Sequence, residues 1–293
     1  MRMKFPNNVN LNLLISKLIN YLLKENSQAV GTLSETDFNE KFSIYKSLCN
    51  IRPPYEISEE YLNNEREFFQ EFNKIRNIQT IENIEPISEK YPNVHTKYKD
   101  ILSLWQGDIT VLEVDAIVNA ANSQGLGCFQ PSHNCIDNLI HTYAGVALRL
   151  ECNEKMKEIK YLETGKAFIT SGQNLPSKHV IHTVGPMIEY NPSNIILQAE
   201  DSTSGVSETK RQELANCYFN SLQLANENNL KSVAFPCIST GLFRFPQDLA
   251  CQIAIETVIK YLDTHENNFE RIIFNVYSDT DLAIYDKYIK NNL

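Results

Sequence analysis

The sequence has no apolar run approaching the roughly 18–20 residues that a membrane-spanning helix needs. Its start, Met1–Asn20, also lacks the basic, apolar and small-residue succession of a secretory signal. Arg and Ser are scarce there, which weighs against a mitochondrial presequence. A cytoplasmic protein without membrane attachment is the expectation. Positive charge is short as well: 27 Lys and Arg face 36 Asp and Glu, a formal net charge of −9. Residues 1–100 are nearly balanced, with 13 basic against 14 acidic, so the deficit falls on the rest, with 14 against 22. An acidic surface is a poor partner for a nucleic-acid backbone, and no nucleic-acid partner is expected. A small phosphorylated ligand stays open, because backbone N–H groups hold phosphates without Lys or Arg.

Several motifs are missing. No G-x-x-x-x-G-K-[ST] loop and no G-x-G-x-x-G fingerprint occur, which excludes the P-loop and the dehydrogenase-type dinucleotide site. The deaminase signature H-x-E…P-C-x-x-C is absent too. The seven cysteines are an odd number and show no paired C-x₂₋₄-C units of finger or ribbon type. In a reducing compartment, clustered Cys and His point to metal or catalysis ahead of disulfides. No repeat of 20–50 residues is visible.

Two regions are present. Residues 1–100 read as helical: Leu11, Leu14, Leu18 and Leu22 share one face. A second helix is expected over Asp37–Cys49, stopped by Pro53-Pro54, and a third near Ile57–Ile75 with Tyr61, Phe68 and Phe72 on one side. No chemistry-bearing motif appears there, so this region reads as a helical cap. After Asp100, short apolar runs alternate with 3.6-period segments. Strands are expected at Ile101–Trp105, Ala116–Asn119, Ala167–Thr170, Val180–Val184, Ser232–Phe235 and Ile272–Val276. Helices are expected at Cys135–Met156, Glu208–Asn228, Pro246–Leu262 and Asp281–Asn291, and an exposed loop at Glu189–Ser207. The alternation gives a layered α/β domain over 101–293 with a largely parallel or mixed sheet.

Five segments carry the candidate chemistry. Gly107-Asp108-Ile109-Thr110 follows a strand, and its carboxylate suits an exocyclic amine or simple turn formation. Asn119-Ala120-Ala121-Asn122 leaves a strand at its carboxyl end, where ligands of α/β sheets collect; its Asn side chains suit hydroxyls, or shape the loop. Gly127-Cys128-Phe129-Gln130-Pro131-Ser132-His133-Asn134-Cys135-Ile136-Asp137-Asn138 gathers Cys128, His133 and Cys135 within eight residues. Three such ligands fit a catalytic zinc site with one open position. A structural site completed by Cys152 or His141, or two buried thiols and a surface His, are the alternatives. Asp137 and His141, at i and i+4, share a helix face, which makes Asp137 a candidate base. Ser239-Thr240-Gly241-Leu242-Phe243 lies between a strand and Pro246, which suits the first helical position, and its amides could nest an anion. Tyr277 ends the last strand, placed for stacking or packing.

In order, Gly107-Asp108-Ile109-Thr110, Asn119-Ala120-Ala121-Asn122, His182-Thr183-Val184-Gly185-Pro186 and Ile238-Ser239-Thr240-Gly241-Leu242-Phe243 closely resemble the macrodomain family over residues 101–293. The Cys-His-Cys insert resembles its zinc-dependent microbial branch, similar to protein ADP-ribosylhydrolases associated with sirtuin-type ADP-ribosyltransferases. The N-terminal helices resemble the extension those enzymes carry, more loosely. The resemblance implies a three-layer α/β fold, a mixed central sheet between helices, and hydrolysis of ADP-ribose from mono-ADP-ribosylated proteins. It implies that Asp108 binds the adenine amine and Ile109 its ring nitrogen through backbone. Asn119 and Asn122 would serve the ligand, Asn122 at the distal ribose, and Ser239 to Phe243 would wrap the diphosphate. Cys128, His133 and Cys135 would hold Zn²⁺, which polarises a distal-ribose hydroxyl or lowers the pKa of a water. Asp137 and Asn122 would be catalytic, and Tyr277 would stack on adenine. Two departures stand out: Arg244 replaces a small residue near the distal ribose, and Gln124-Gly125-Leu126-Gly127 with the insert replaces a glycine run. A non-catalytic ADP-ribose reader, a hydrolase of O-acetyl-ADP-ribose, and an interaction protein with a structural zinc remain as rival readings.

Overall fold

Leu11, Leu14, Leu18 and Leu22 are all buried on one face of α1 (Val9–Glu25), as their spacing requires. The computed structural model describes residues 9–27, 33, 36–131, 133–189 and 205–293. Ser132 and most of the expected Glu189–Ser207 loop lie outside the described residues. Helix α2 (Phe38–Ile51) starts where the Asp37 carboxylate accepts from the Glu40 N–H. It ends at Arg52, which turns extended ahead of Pro53-Pro54. Helix α3 (Glu59–Asn73) is capped by Ser58 through the Tyr61 N–H. The helices join in an aromatic cluster of Phe38, Phe42, Tyr45, Phe68 and Phe72 that reaches Tyr143 across the cap.

Between the cap and the sheet the helical expectation gives way. A two-residue strand β1 (Gln79–Thr80) and a single helical turn α4 (Ile87–Lys90) occupy this stretch. Two residues are too few to show a period of two, so no sequence pattern announced β1. It pairs in parallel with β3 (Leu112–Glu113), just after β2 (Leu102–Gln106).

The main sheet adds β4 (Ala116–Ala120), β5 (Ala167–Ser171), β6 (His179–Thr183), β7 (Ser232–Phe235) and β8 (Arg271–Val276), in the order β2-β8-β7-β4-β6-β5. All neighbours are parallel except β5 against β6, so the sheet is mixed. Alternate residues serve opposite faces. Ile117, Val180, Ala234 and Ile273 face α5 (Ile136–Ala144), α6 (Val146–Ile159) and the N-terminal helices. Val118, Ile181, Val233, Phe235, Ile272 and Phe274 face α7 (Glu208–Glu227), α8 (Gln247–Thr264) and α9 (Asp279–Asn292). Helix, sheet and helix form the three layers.

Two expectations need correction. Cys135–Met156 is not one helix: α5 stops at Gly145, whose φ of 83° and ψ of −179° lie where only glycine is at ease. A Cβ there would sit 2.2 Å from Glu65 Oε2, the carboxylate that accepts from the Val146 N–H opening α6. Pro246 caps α8 from an extended conformation and is not its first helical residue. Its lack of an N–H is no cost at either place.

Candidate functional site

The carboxyl ends of four adjacent strands deliver the predicted residues side by side. Gln106 of β2 pairs with Val276 of β8, so Asp108 and Tyr277, which follow them, emerge together. Strand β7 then offers Ile238–Phe243, and β4 offers Asn119–Asn122. At about 4.8 Å per strand, β2 to β4 spans roughly 14 Å.

At the β2 end, Asp108 Oδ1 accepts from the Thr110 N–H at 2.9 Å and hydroxyl at 2.7 Å. Its Oδ2 lies 3.6 Å from Arg76 Nη2 and its side chain is part-exposed. Arg76 comes from the N-terminal region, donates to Thr110 Oγ1 and covers the Tyr143 ring at 3.9 Å. No motif marked Arg76. Ile109 is buried, whereas the Tyr277 ring is 78% exposed and free to meet a planar ligand.

In the β7 loop, Ser239 has a φ of 67° and is buried, while Gly241 and Leu242 are exposed. The loop closes on itself through Thr240 N–H to Cys237 O and Phe245 N–H to Ser239 O. The amides of Ser239, Gly241, Leu242 and Phe243 find no acceptor among the described residues. Successive amides with alternating backbone hand form an anion-binding concavity. Gly185 is required beside it: a Cβ there would meet Ser239 Oγ at 2.0 Å. Arg244 is exposed, with a φ of 56°, and its N–H donates to Gly241 O.

In the β4 loop, Asn122 Nδ2 donates to Gly127 O at 3.0 Å, and its Oδ1 accepts from the Gln124 N–H. Asn122 therefore shapes the loop leading to Cys128. Asn119 is fully buried, its Nδ2 2.7 Å from Asp137 Oδ1 and 3.1 Å from His182 Nδ1. Asp137 is also buried, in the first turn of α5, and desolvation pushes its carboxyl up to about 6 against the pull of the Asn119 hydrogen bond and the Arg149 charge.

Cys128 Sγ, a ring nitrogen of His133 and Cys135 Sγ lie within 4.8 Å of one another, with Cys128 Sγ and His133 Nδ1 at 3.5 Å. A tetrahedral zinc bonded to sulfur at about 2.3 Å and nitrogen at about 2.1 Å holds the two roughly 3.5 Å apart, so the donor set fits that ion. Burial pushes the Cys135 thiol up to about 12, so a thiolate there calls for a cation. Helix geometry fixes Cys135 as the cap of α5, accepting from the Asn138 N–H. Asn138 is buried and donates to Gln130 O and His133 O, which pins the loop between Cys128 and Cys135. The side chain of Lys46, on α2, reaches Asn134 Oδ1 at 3.0 Å. The expected alternative fourth ligands, His141 and Cys152, group with His182 in a second, buried cluster. His141 Nε2 does share a face with Asp137, 3.6 Å from Oδ1. Burial drives His141 well below the ordinary histidine range and His182 down to about 3, so both rings are neutral.

The macro domain family model matches residues 118–254, the stretch holding the β4 and β7 loops. The chain is 41% identical to the protein-ADP-ribose hydrolase of Staphylococcus aureus strain MSSA476, over 92% of both proteins. This chain belongs to the macro domain family. It is also 43% identical to the protein-ADP-ribose hydrolase of Treponema medium, over 92% of this chain and 95% of that one. Among solved structures, the Oceanobacillus iheyensis macrodomain with ADP matches with a TM-score of 0.55 and 34% identity, covering 67% of this chain and 94% of that one. With 92% of this chain covered, the likeness to the two hydrolases takes in most of the region before residue 100 as well.

Proposed function

We propose that this chain hydrolyses the bond between ADP-ribose and a mono-ADP-ribosylated protein, with zinc held by Cys128, His133 and Cys135. One observation carries the reading: the strand order sets a carboxylate and an exposed ring (Asp108, Tyr277), then a run of amides (Ser239–Phe243), then a buried acid near a thiol-imidazole triad (Asp137), a succession that suits adenine, diphosphate and distal ribose in turn. The names of the relatives in Staphylococcus aureus and Treponema medium, and the ADP bound to the Oceanobacillus protein, support it. Asp108 accepts from the adenine amine, the Ile109 backbone meets the ring nitrogen, and Tyr277 stacks on the ring. The nest binds the diphosphate by amides alone, which suits an acidic protein. Asn122 orders the loop along the distal ribose. Asp137, its proton affinity raised toward neutral pH, positions a water and takes its proton as the water oxygen bonds to C1″ and the C1″–O bond breaks, its electron pair leaving with the protein's side-chain oxygen. Zinc at the triad supplies Lewis-acid charge beside the ribose. A sirtuin-type ADP-ribosyltransferase is the proposed source of the modified protein.

The test is ADP-ribose release from a mono-ADP-ribosylated protein, with and without a zinc chelator, with folding followed in parallel. Release that stops on chelation in a still-folded chain, and returns with zinc, is the expected result. Binding of ADP-ribose without release would make the chain a reader. Unfolding on chelation would make the zinc structural.

A further inference from the structure

The Asn119 side chain has one orientation that its neighbours permit. Were Oδ1 turned to Asp137, two oxygens would oppose each other at the 2.7 Å seen there, so the amide nitrogen faces the acid. Its second hydrogen then points at His182 Nδ1, 3.1 Å away. An amide N–H only donates, so Nδ1 is bare and the imidazole proton sits on Nε2. Nε2 has its own acceptor, Thr170 Oγ1 at 3.0 Å, whose hydroxyl passes on to Val180 O at 3.4 Å. The ring plane is held by Phe168, stacked at 4.7 Å with an 11° tilt. Thr170, His182, Asn119 and Asp137 are all buried, so no solvent competes for these bonds. In this tautomer His182 offers the second cluster no lone pair at Nε2: a ligating Nε2 would move the proton to Nδ1, against the Asn119 amide.

We infer that His182 is a positioning residue for Asp137, acting through the Asn119 amide and held in its Nε2–H tautomer by Thr170. The inference rests on the reading that Asp137 serves the reaction. Without an acceptor at Nδ1, one Asn119 N–H is left buried and unpaired, and the amide is no longer held at two points. Its donor is then free to tilt and shift, and the direction of the acid is less well fixed.

Three variants and one spectrum test this. Asp137→Asn establishes the parent reading; if it turns over like the unmodified protein, that reading fails and the inference with it. With Asp137 required, His182→Leu lowers kcat by roughly tenfold to a hundredfold, the scale of a sub-ångström misplacement, with KM little changed. His182→Asn, whose Oδ1 stands near the place of Nδ1, recovers kcat to within about threefold. Equal loss in Leu and Asn variants, or full kcat in a folded His182→Leu protein, would overturn the inference and leave the Asp137 reading standing. Should the Leu variant not fold, ¹⁵N NMR of the unmodified protein decides: bare Nδ1 and protonated Nε2 on His182 support it, and the opposite tautomer refutes it.

Discussion

Arg149→Met removes a guanidinium that ties the N-terminal helices to the loop carrying Cys128. Arg149 lies on α6 and donates to Cys49 O at 2.7 Å and Arg52 O at 2.6 Å, both at the end of α2. Its Nε donates to Leu126 O at 2.8 Å, two residues before Cys128, and its plane lies 4.5 Å from the Phe129 ring. The α2 carbonyls carry the negative end of that helix's dipole, which a cation suits. Methionine loses the guanidinium's contact with the Phe129 ring and orphans two buried carbonyls and a part-buried one. Each orphan costs about 1–3 kcal/mol. Two effects offset part of this: the guanidinium no longer needs desolvating, and a space of about 10 Å³ beside Cys49, Arg52 and His141 has room for one rescuing water. The net loss is about 2–4 kcal/mol. Urea unfolding should show a lower midpoint with an unchanged slope. Because Leu126 O anchors the ligand loop, zinc affinity measured against a chromophoric chelator should also fall about tenfold or more. Arg149→Lys, which reaches fewer carbonyls, should fall between. A stability loss below about 1 kcal/mol would refute the carbonyl accounting, and a large loss with unchanged zinc affinity would refute the link to the loop.

Burial pushes Glu65 up to about 7 from 4.5, despite hydrogen bonds from Tyr45, Tyr61 and Val146. The folded state then binds more protons than the unfolded one between these values, so stability falls as pH rises from about 4.5 through 7, by up to about 3 kcal/mol. Chemical denaturation of Glu65→Gln at pH 5 and pH 8 should lack that slope. Gly145→Ala must hold a φ of 83° and displace Glu65 Oε2 from 2.2 Å, so a loss of about 3 kcal/mol or more is expected in thermal or urea melts. Tyr277→Ala should weaken ADP-ribose binding by about 1–3 kcal/mol in calorimetry while Tyr277→Phe binds normally; equal binding by the Ala variant would remove stacking from the site.

The strands and most helices were legible because burial alone sets their pattern. The Leu face of α1 and the buried runs of β4, β6 and β7 have one solution each. The gathering of the β2, β8, β7 and β4 exits was legible because a parallel sheet collects its carboxyl ends at one edge. The break at Gly145 was not. A lone glycine inside a helical pattern costs only about 1 kcal/mol, so Ala144-Gly145-Val146 reads as continuous. What ends α5 there is Glu65, 81 residues away along the chain, taking the Val146 N–H. The roles of Arg76, Arg149 and Asn138 were hidden for the same reason. Arg76 reaches Thr110, 34 residues away, and Arg149 reaches Cys49, 100 residues away, and a buried amide such as Asn138 shows its use only when the loop it holds is folded.

The same contacts change what the boundary near residue 100 means. In the sequence it marks a change of pattern, from helices to alternating strands and helices. In the structure Phe42 and Phe72 pack on Tyr143, and one apolar core runs from α1 through α6 to the sheet. Polar links cross at both ends of the site as well: Arg76 braces the Asp108 turn, while Lys46 and the α2 carbonyls brace the ligand loop. A cap that only shielded apolar surface would need none of these. Removing it would take two carbonyl partners from Arg149 and the Arg76 brace from Thr110 and Asp108, besides baring aromatic rings, so the site's two ends depend on a region that holds none of its predicted ligands. That dependence gives a region without motifs a share in the likeness to the two hydrolases, which spans 92% of this chain: its sequence answers to the loops it holds in place.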